Sequence, residues 1–576
     1  MRIPHDGDCC FSAAATHRIL TASIAICMTA RALCAAGLPA TWSLFAPVDT
    51  SALASLRTIP ASLPGENGPV KPRPIVLKNN MLDLAPLAGG IKEKRCAILM
   101  ADMRSPRTTV LKVGTGADWW VDWYVNGKRV FTLPLNGNAT TRYSITNYQF
   151  GLPLDSGDNV IAIVARSGSK GFALWAGADE ALDQALAAQA REDEKLCKPL
   201  IDAANRRIAD IRMGTLTIKT TPGAAVTVRQ VRNEFWFGTC IGSRLLDTTA
   251  DARHYRDTLK TYFNAAVHEN ALKWSATERN GPGTPDYRGA DEVLGWCEAN
   301  GISMRGHCVF WGVGGEDGGA VQPWVKALGD SALRATMERR AKSVAARYKD
   351  RIHEYDLNNE MLHGDYYEER LGPGIVADMA RWMKETDPGA MLFVNDYDVT
   401  GQGAAQDYAR QIRGFLKRGI PFGGVGTQCH FVSDIDIPAV QRDLDTLAQL
   451  GLPIRITEFD FMTGDEERKA ALLDRLYRIC FAHPAVTGIL MWGFWEGRHW
   501  RPQAALWKKD WTPAPAGRAY ANLVNREWRT SVSGKADANG VFTTRAFYGD
   551  YEVQCGATRR TFPFPAAEKA KTVEVR

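Results

Sequence analysis

Between residues 234 and 528 the sequence repeats one device eight times. A short apolar run ends on polar or charged residues, and a turn or helical stretch follows. The runs are 235–241, 265–270, 302–311, 354–360, 391–396, 423–430, 453–460 and 488–496. Amphipathic helical spacing fills 332–347, 404–417, 439–450 and 466–481. Strands alternating with helices call for a parallel sheet covered on both faces. Eight units in roughly 295 residues fit an α/β fold, a TIM (β/α)8 barrel, whose usual size is about 250.

The strand ends carry the polar residues. Glu269 and Asn270 end the second run, and His307 and Trp311 lie late in the third. Asn359 and Glu360 end the fourth, Asn395 and Asp396 the fifth, Gln428 and His430 the sixth. Glu458 and Asp460 end the seventh, and Trp492 and Trp495 lie late in the eighth. Charged groups at the ends of apolar strands are costly, so their repetition needs a reason. Barrel active sites form at these C-terminal ends.

Glu360 and Glu458 are the pair that carries the chemistry. The barrel aims both into one cleft although 98 positions separate them. Two carboxyl groups facing each other across a glycosidic bond suffice to hydrolyse it, provided one stays protonated and the other ionised. Asp460 shares a strand face with Glu458, and His430 is within reach of both, a set suited to holding Glu458 ionised. Asn359 is placed to hydrogen-bond a sugar hydroxyl.

The rest of the chain reads as accessory. Residues 1–40 form a leader in which a ten-residue apolar run, 19–28, follows His17-Arg18, the pattern of a secretory signal. A secreted or periplasmic location is expected from it. Residues 41–94 are Pro-rich and read as a linker. Residues 95–177 read as a β-sandwich, with Asn126-Gly127 as a hairpin turn. Alternation splits Trp119 and Trp123 from Trp120, so one face is core and the other is open to a sugar. The Tyr124-Val-Asn-Gly-Lys128 strand and turn resemble the jelly-roll modules attached to glycosidases. Residues 178–212 read as a helical connector split at Pro199. Residues 213–233 and 529–576 are each too short to fold alone, and together they are expected to form one small β-domain around an inserted barrel at 234–528.

Several function classes drop out. Seventy Lys and Arg against 64 Asp and Glu leave a charge of +6, which gives no case for nucleic acid. The twelve cysteines include no Cys-x-x-Cys, so neither a zinc nor a redox motif is supported, and no metal or cofactor is expected. Beyond the leader no stretch is long and apolar enough to span a membrane. The Gly-rich loop 312–320 lacks the Lys-Ser/Thr of a phosphate loop.

Seven segments in order resemble glycoside hydrolase family 10, the retaining endo-β-1,4-xylanases. They are His268-Glu-Asn-Ala-Leu-Lys-Trp274, Arg305-Gly-His-Cys-Val-Phe-Trp311, Asp356-Leu-Asn-Asn-Glu360, Asn395-Asp-Tyr397, Gly426-Thr-Gln-Cys-His430, Ile456-Thr-Glu-Phe-Asp460 and Met491-Trp-Gly-Phe-Trp495. The resemblance implies Glu360 as acid/base, Glu458 as nucleophile, and His430 and Asp460 as residues that tune it. It implies a glycone row of Glu269, Asn270, Lys273, His307 and Trp311, with Trp492 and Trp500 walling the central subsite. Gln428 is placed beside the substrate with them. The implied partner is xylan. One departure stands out: Gly312 occupies a position where the family commonly has a second His. It leaves a related β-glycan open as substrate. A carbohydrate-binding protein without turnover is the rival of a different class, and the presence of both carboxylates argues against it.

Overall fold

The computed structural model describes residues 37–49, 56–133, 143–168, 171–283, 285–314, 319–432, 434–463 and 465–575. The expected leader, up to residue 36, and positions 315–318 of the Gly-rich loop lie outside the described residues. The chain divides into two compact units at Gln189 and Ala190.

The N-terminal unit is an antiparallel β-structure built on one long strand, Thr109–Val125. That strand pairs with Lys128–Thr132, Tyr148–Leu154, Gly157–Ser167 and Ala173–Ala178 along its length. Asn126 and Gly127 turn it with positive φ of 51° and 79°, which glycine and asparagine tolerate best. Trp42, Val113, Val121, Trp123, Ile163 and Leu174 fill one side. Phe45, Ile98, Met100 and Val164 form a second cluster, covered by Leu56 and Leu63.

The expected linker over 41–94 is therefore corrected. Trp42–Val48 pairs antiparallel with Cys96–Ser105 and with Arg73–Ile75, and Met81–Asp83 pairs with Ala173–Ala178. Trp123 is fully buried with its indole N–H on Thr115 Oγ1 at 3.1 Å. Trp119 and Trp120 are half-buried and meet edge to face at 5.9 Å. The connector is also corrected: Asp179–Ile211 is one helix with Pro199 inside it.

In the second unit eight parallel strands close a barrel. They are β1 Trp236–Ile241, β2 Ala265–His268, β3 Ser303–Gly306, β4 Glu354–Asn359, β5 Met391–Asp396, β6 Phe422–Thr427, β7 Ile454–Phe461 and β8 Val486–Met491. Each pairs with its successor, and β8 pairs with β1. Two of the expected runs break in the structure. Phe310–Trp311 rejoins β4 after the 307–309 bend, and His430–Phe431 rejoins β7 after Cys429, whose φ is 61°. Cys197, Ala204 and Ile208 of the long helix pack into the barrel's apolar shell.

A small two-sheet domain flanks the barrel's entry and exit. Met213–Lys219 lies between Val541–Phe547 and Ala570–Glu574. Ala225–Asn233 lies between Ser531–Lys535 and Gly549–Cys555, and Thr558–Phe564 adds to the last. Leu216, Ile218, Val228, Tyr551, Val553 and Phe564 make its core.

Candidate active site

Glu360 is the first residue past β4. Its backbone is left-handed at φ 66°, ψ 35°, and its amide N–H is pinned to the Asn395 carbonyl on β5 at 2.8 Å. Such a backbone is uncommon for a residue with a Cβ and gathers at functional sites. Three donors reach its carboxyl group. Gln428 Nε2 (2.8 Å) and Asn359 Nδ2 (3.0 Å) donate to Oε1, and Trp311 Nε1 donates to Oε2 at 2.8 Å. Burial raises the Glu360 pKa, and the nearby Glu458 charge adds to it. The Gln428 and Trp311 donors pull the other way without reversing the shift.

Glu458 sits within β7 and is 5% exposed. Asn395 Nδ2 donates to its Oε1 at 2.8 Å, and His430 Nε2 lies 3.3 Å from its Oε2. Burial alone would raise this carboxyl, but the His430 hydrogen bond and the His307 and His430 charges outweigh it. The Glu458 pKa is held below its ordinary value. His430 is in turn 3.0 Å from Asp460 Oδ2. Burial opposes its charge, yet the Asp460 and Glu458 carboxylates lift it to about 9, so it is a cation at neutral pH. Asp460 also accepts the Trp500 indole N–H (2.7 Å) and Arg501 Nη1 (2.9 Å).

The two carboxyl groups are joined through amides. Asn395 Nδ2 donates both to Glu458 and to Asn359 Oδ1 (2.8 Å), and Asn359 Nδ2 donates to Glu360. Thr457 Oγ1 fixes Asn395 by donating to its Oδ1 at 2.6 Å. Below this layer the barrel interior holds a ladder of buried charges. His307 Nδ1 meets Asp356 Oδ2 at 2.9 Å, and Arg305 bridges Asp356 and Glu354. Arg455 closes the ladder on Glu354 at 2.7 Å. Such pairs orient more than they stabilise, because desolvation takes back most of the Coulomb gain.

The site places at one end of the barrel a carboxyl group whose pKa is pushed up and another whose pKa is held down. The sequence pattern of Glycosyl hydrolase family 10 matches residues 228–523, just over half of the chain, and covers every barrel strand. This chain belongs to glycosyl hydrolase family 10. Among its relatives is anti-sigma-I factor RsgI6 of Acetivibrio thermocellus, 38% identical over 61% of this chain and 46% of that protein. Endo-1,4-beta-xylanase 1 of Arabidopsis thaliana is 35% identical over 62% of this chain and 37% of that protein. The chain thus spans less than half the length of these curated relatives. Native xylanase 10B of Thermotoga maritima superimposes with a TM-score of 0.47 at 24% identity, over 51% of this chain and 96% of that one.

Set against the family 10 motifs, the structure moves three residues. Trp311 and Gln428, expected along the substrate, both hold the Glu360 carboxyl. Asn359, expected on a sugar hydroxyl, has Nδ2 on Glu360 and Oδ1 on Asn395, so its side chain positions the pair. Asn395 entered the sequence reading only as the end of the fifth run and Thr457 only inside a quoted segment; neither was given a role, because a buried amide or hydroxyl carries no spacing signal.

The remaining family 10 positions gather around the pair. Lys273 Nζ donates to Asn270 Oδ1 (2.9 Å) and lies 4.7 Å from the Trp311 ring centre, a cation–π contact. Trp492 is 8% exposed and meets His307 and His430 edge-on, as a back wall. Trp500 is 51% exposed. The Gly312 departure has a steric basis. A Cβ there would stand 2.5 Å from Asp365 Oδ1 and 3.1 Å from the Tyr366 nitrogen, because the 365–367 turn fills the space a side chain would need.

Proposed function

We propose that this family 10 protein is a retaining endo-β-1,4-xylanase. The observation that carries the reading is the opposite tuning of the two carboxyl groups: Glu360 pushed toward its acid form, Glu458 toward its carboxylate. The Glu458 carboxylate attacks the anomeric carbon while the Glu360 proton passes to the departing glycosidic oxygen, leaving a glycosyl ester on Glu458. The Glu360 carboxylate then takes a proton from water, whose oxygen displaces Glu458 from the same carbon. Two displacements retain configuration, and atoms balance with water alone.

Xylan is supported as the substrate by the seven-segment resemblance and by the xylanases among the relatives. A polymer of that size stays outside a cell, so export is part of the proposal, as is a sugar-binding role for the N-terminal β-unit. The test is mass spectrometry of soluble products from linear xylan, with Glu458→Gln beside the unmutated protein. The reading expects a ladder of xylo-oligosaccharides, with the variant slowed by about 10⁴-fold or more. A Glu458→Gln protein as active as the unmutated one would refute it.

A further inference from the structure

Glu360 owes its place to a turn rather than to a strand. After its left-handed backbone, Met361–His363 forms a short 3₁₀ turn that Gly364 ends at φ 121°. A left-handed backbone costs energy in a residue with a Cβ and persists only where the surroundings hold it. On the near side the hold is the Glu360 amide on the Asn395 carbonyl. On the far side it is the next residue of β5, Asp396.

Asp396 is 1% exposed and reaches the turn twice. Its Oδ2 accepts the Leu362 amide N–H at 2.7 Å, and its Oδ1 accepts the N–H of His363 Nδ1 at 2.7 Å. Oδ1 also accepts the Tyr397 amide at 3.0 Å. The His363 ring lies flat on the Tyr397 ring, 3.7 Å between centres and 10° from parallel. Gln411 Nε2, from the helix Ala405–Lys417, donates to the Met361 carbonyl at 3.1 Å. Among the described residues, Asp396 is the one hydrogen-bond partner of the His363 side chain.

The carboxyl groups of Asp396, Asp398 and Glu360 and the Tyr397 phenol surround His363. Burial works against a charge on its ring, but the Asp396 bond and the three negative groups outweigh burial and raise its pKa. A charged donor makes a stronger hydrogen bond than a neutral one. His363 therefore grips the carboxylate that fixes the turn, while Trp311, Gln428 and Asn359 grip the Glu360 carboxyl group itself.

We propose that His363 is a positioning residue for Glu360: through Asp396 it fixes the turn that aims the Glu360 carboxyl group at the departing oxygen. The inference rests on the xylanase reading and adds a residue outside the seven family segments. Two variants test it in the full chain. His363→Ala leaves the Leu362 amide as the turn's only bond to Asp396. His363→Asn keeps a side-chain N–H at the same remove from Cβ as Nδ1, without the ring or the charge. The readouts are kcat/KM on xylohexaose and on dinitrophenyl xylobioside, whose leaving group departs unprotonated, and hydrogen exchange of the Glu360 and Leu362 amides.

His363→Ala is expected to lower kcat/KM on xylohexaose by about tenfold or more and on the aryl substrate by less than about twofold, because a misplaced acid is felt only where a proton is needed. His363→Asn is expected to stay within about threefold of the unmutated protein on both. Protection of the two amides should fall in His363→Ala and hold in His363→Asn. Equal losses on both substrates, an unchanged or unfolded His363→Ala protein, or a His363→Asn protein no better than His363→Ala overturns the positioning role and leaves the xylanase reading standing. An unmutated protein that does not cleave xylohexaose overturns the xylanase reading, and the positioning of the turn is then decided by exchange alone: unchanged protection in His363→Ala overturns it as well.

Discussion

Replacing Trp311 by Phe removes one N–H from around Glu360, the proposed catalytic acid, and leaves an aromatic ring in place. That N–H donates to Glu360 Oε2 at 2.8 Å, while the two donors on Oε1 remain. A hydrogen bond to a charged group contributes about 1.5–3 kcal/mol, and one pKa unit corresponds to about 1.4 kcal/mol. The bond favours the carboxylate, so its loss favours the acid. The Glu360 pKa should therefore rise by about 1–2 units, and Glu360 keeps its proton to higher pH. The assay is the pH profile of kcat/KM on xylohexaose, whose leaving group needs that proton. The alkaline limb should move up, while the acid limb, set by Glu458, stays. An aryl glycoside whose leaving group departs unprotonated should show no such shift. Lys273 retains a ring face 4.7 Å away, so changes in KM through that contact can be told apart from the shift. An alkaline limb that stays put or moves down would refute the assignment of Trp311 as a donor to the catalytic acid.

Four further outcomes follow from the geometry. Asp460→Asn removes the carboxylate that chiefly lifts His430 to about 9; His430 then loses its charge at lower pH, Glu458 loses a cationic neighbour, and the acid limb of kcat/KM should rise by about one unit. Arg305→Leu strips Glu354 and Asp356 of a shared buried cation, and urea unfolding should show a loss of about 3–5 kcal/mol. Gly312→His should lower the melting temperature through about 1–3 kcal/mol of overpacking against Asp365 and Tyr366, with no gain in affinity for xylo-oligosaccharides. Burial raises the Asp365 pKa to about 6 from 3.8, so the fold loses stability as pH climbs from about 4 to 6; Asp365→Asn should flatten that dependence in urea titrations at pH 5 and pH 8.

The barrel was legible because each strand ends on residues that a bland fold would not place there, such as Glu360 after Leu357 and Glu458 after Ile456. The breaks in two strands were not, since the bends at 307–309 and at Cys429 fall on residues that are neither Gly nor Pro. Composition misled at 41–94, where prolines suggest a linker. Arg73–Ile75 is at the sheet edge, where a proline costs no ladder bond, and Pro47 falls where the register of Trp42–Val48 against Cys96–Ser105 shifts. Pro199 misled in the same way, because one lost helical bond does not end a 33-residue helix that Cys197, Ala204 and Ile208 anchor on both sides of the proline. In the site, Glu360 and Glu458 were legible as paired carboxyl groups at two strand ends. The hold of Trp311 and Gln428 on Glu360 was not, because it links the ends of three strands through side-chain geometry that spacing does not encode.

The small β-domain sets a clock on biosynthesis. Its strand Met213–Lys219 is made early, but its neighbours Val541–Phe547 and Ala570–Glu574 come about 320 and 350 residues later. At roughly 5–20 residues per second, that strand waits on the order of twenty to sixty seconds for partners. The whole barrel emerges during the wait, so it can close before its flanking sheets exist. The sheets then form last, joining the two segments that lead into and out of the finished barrel.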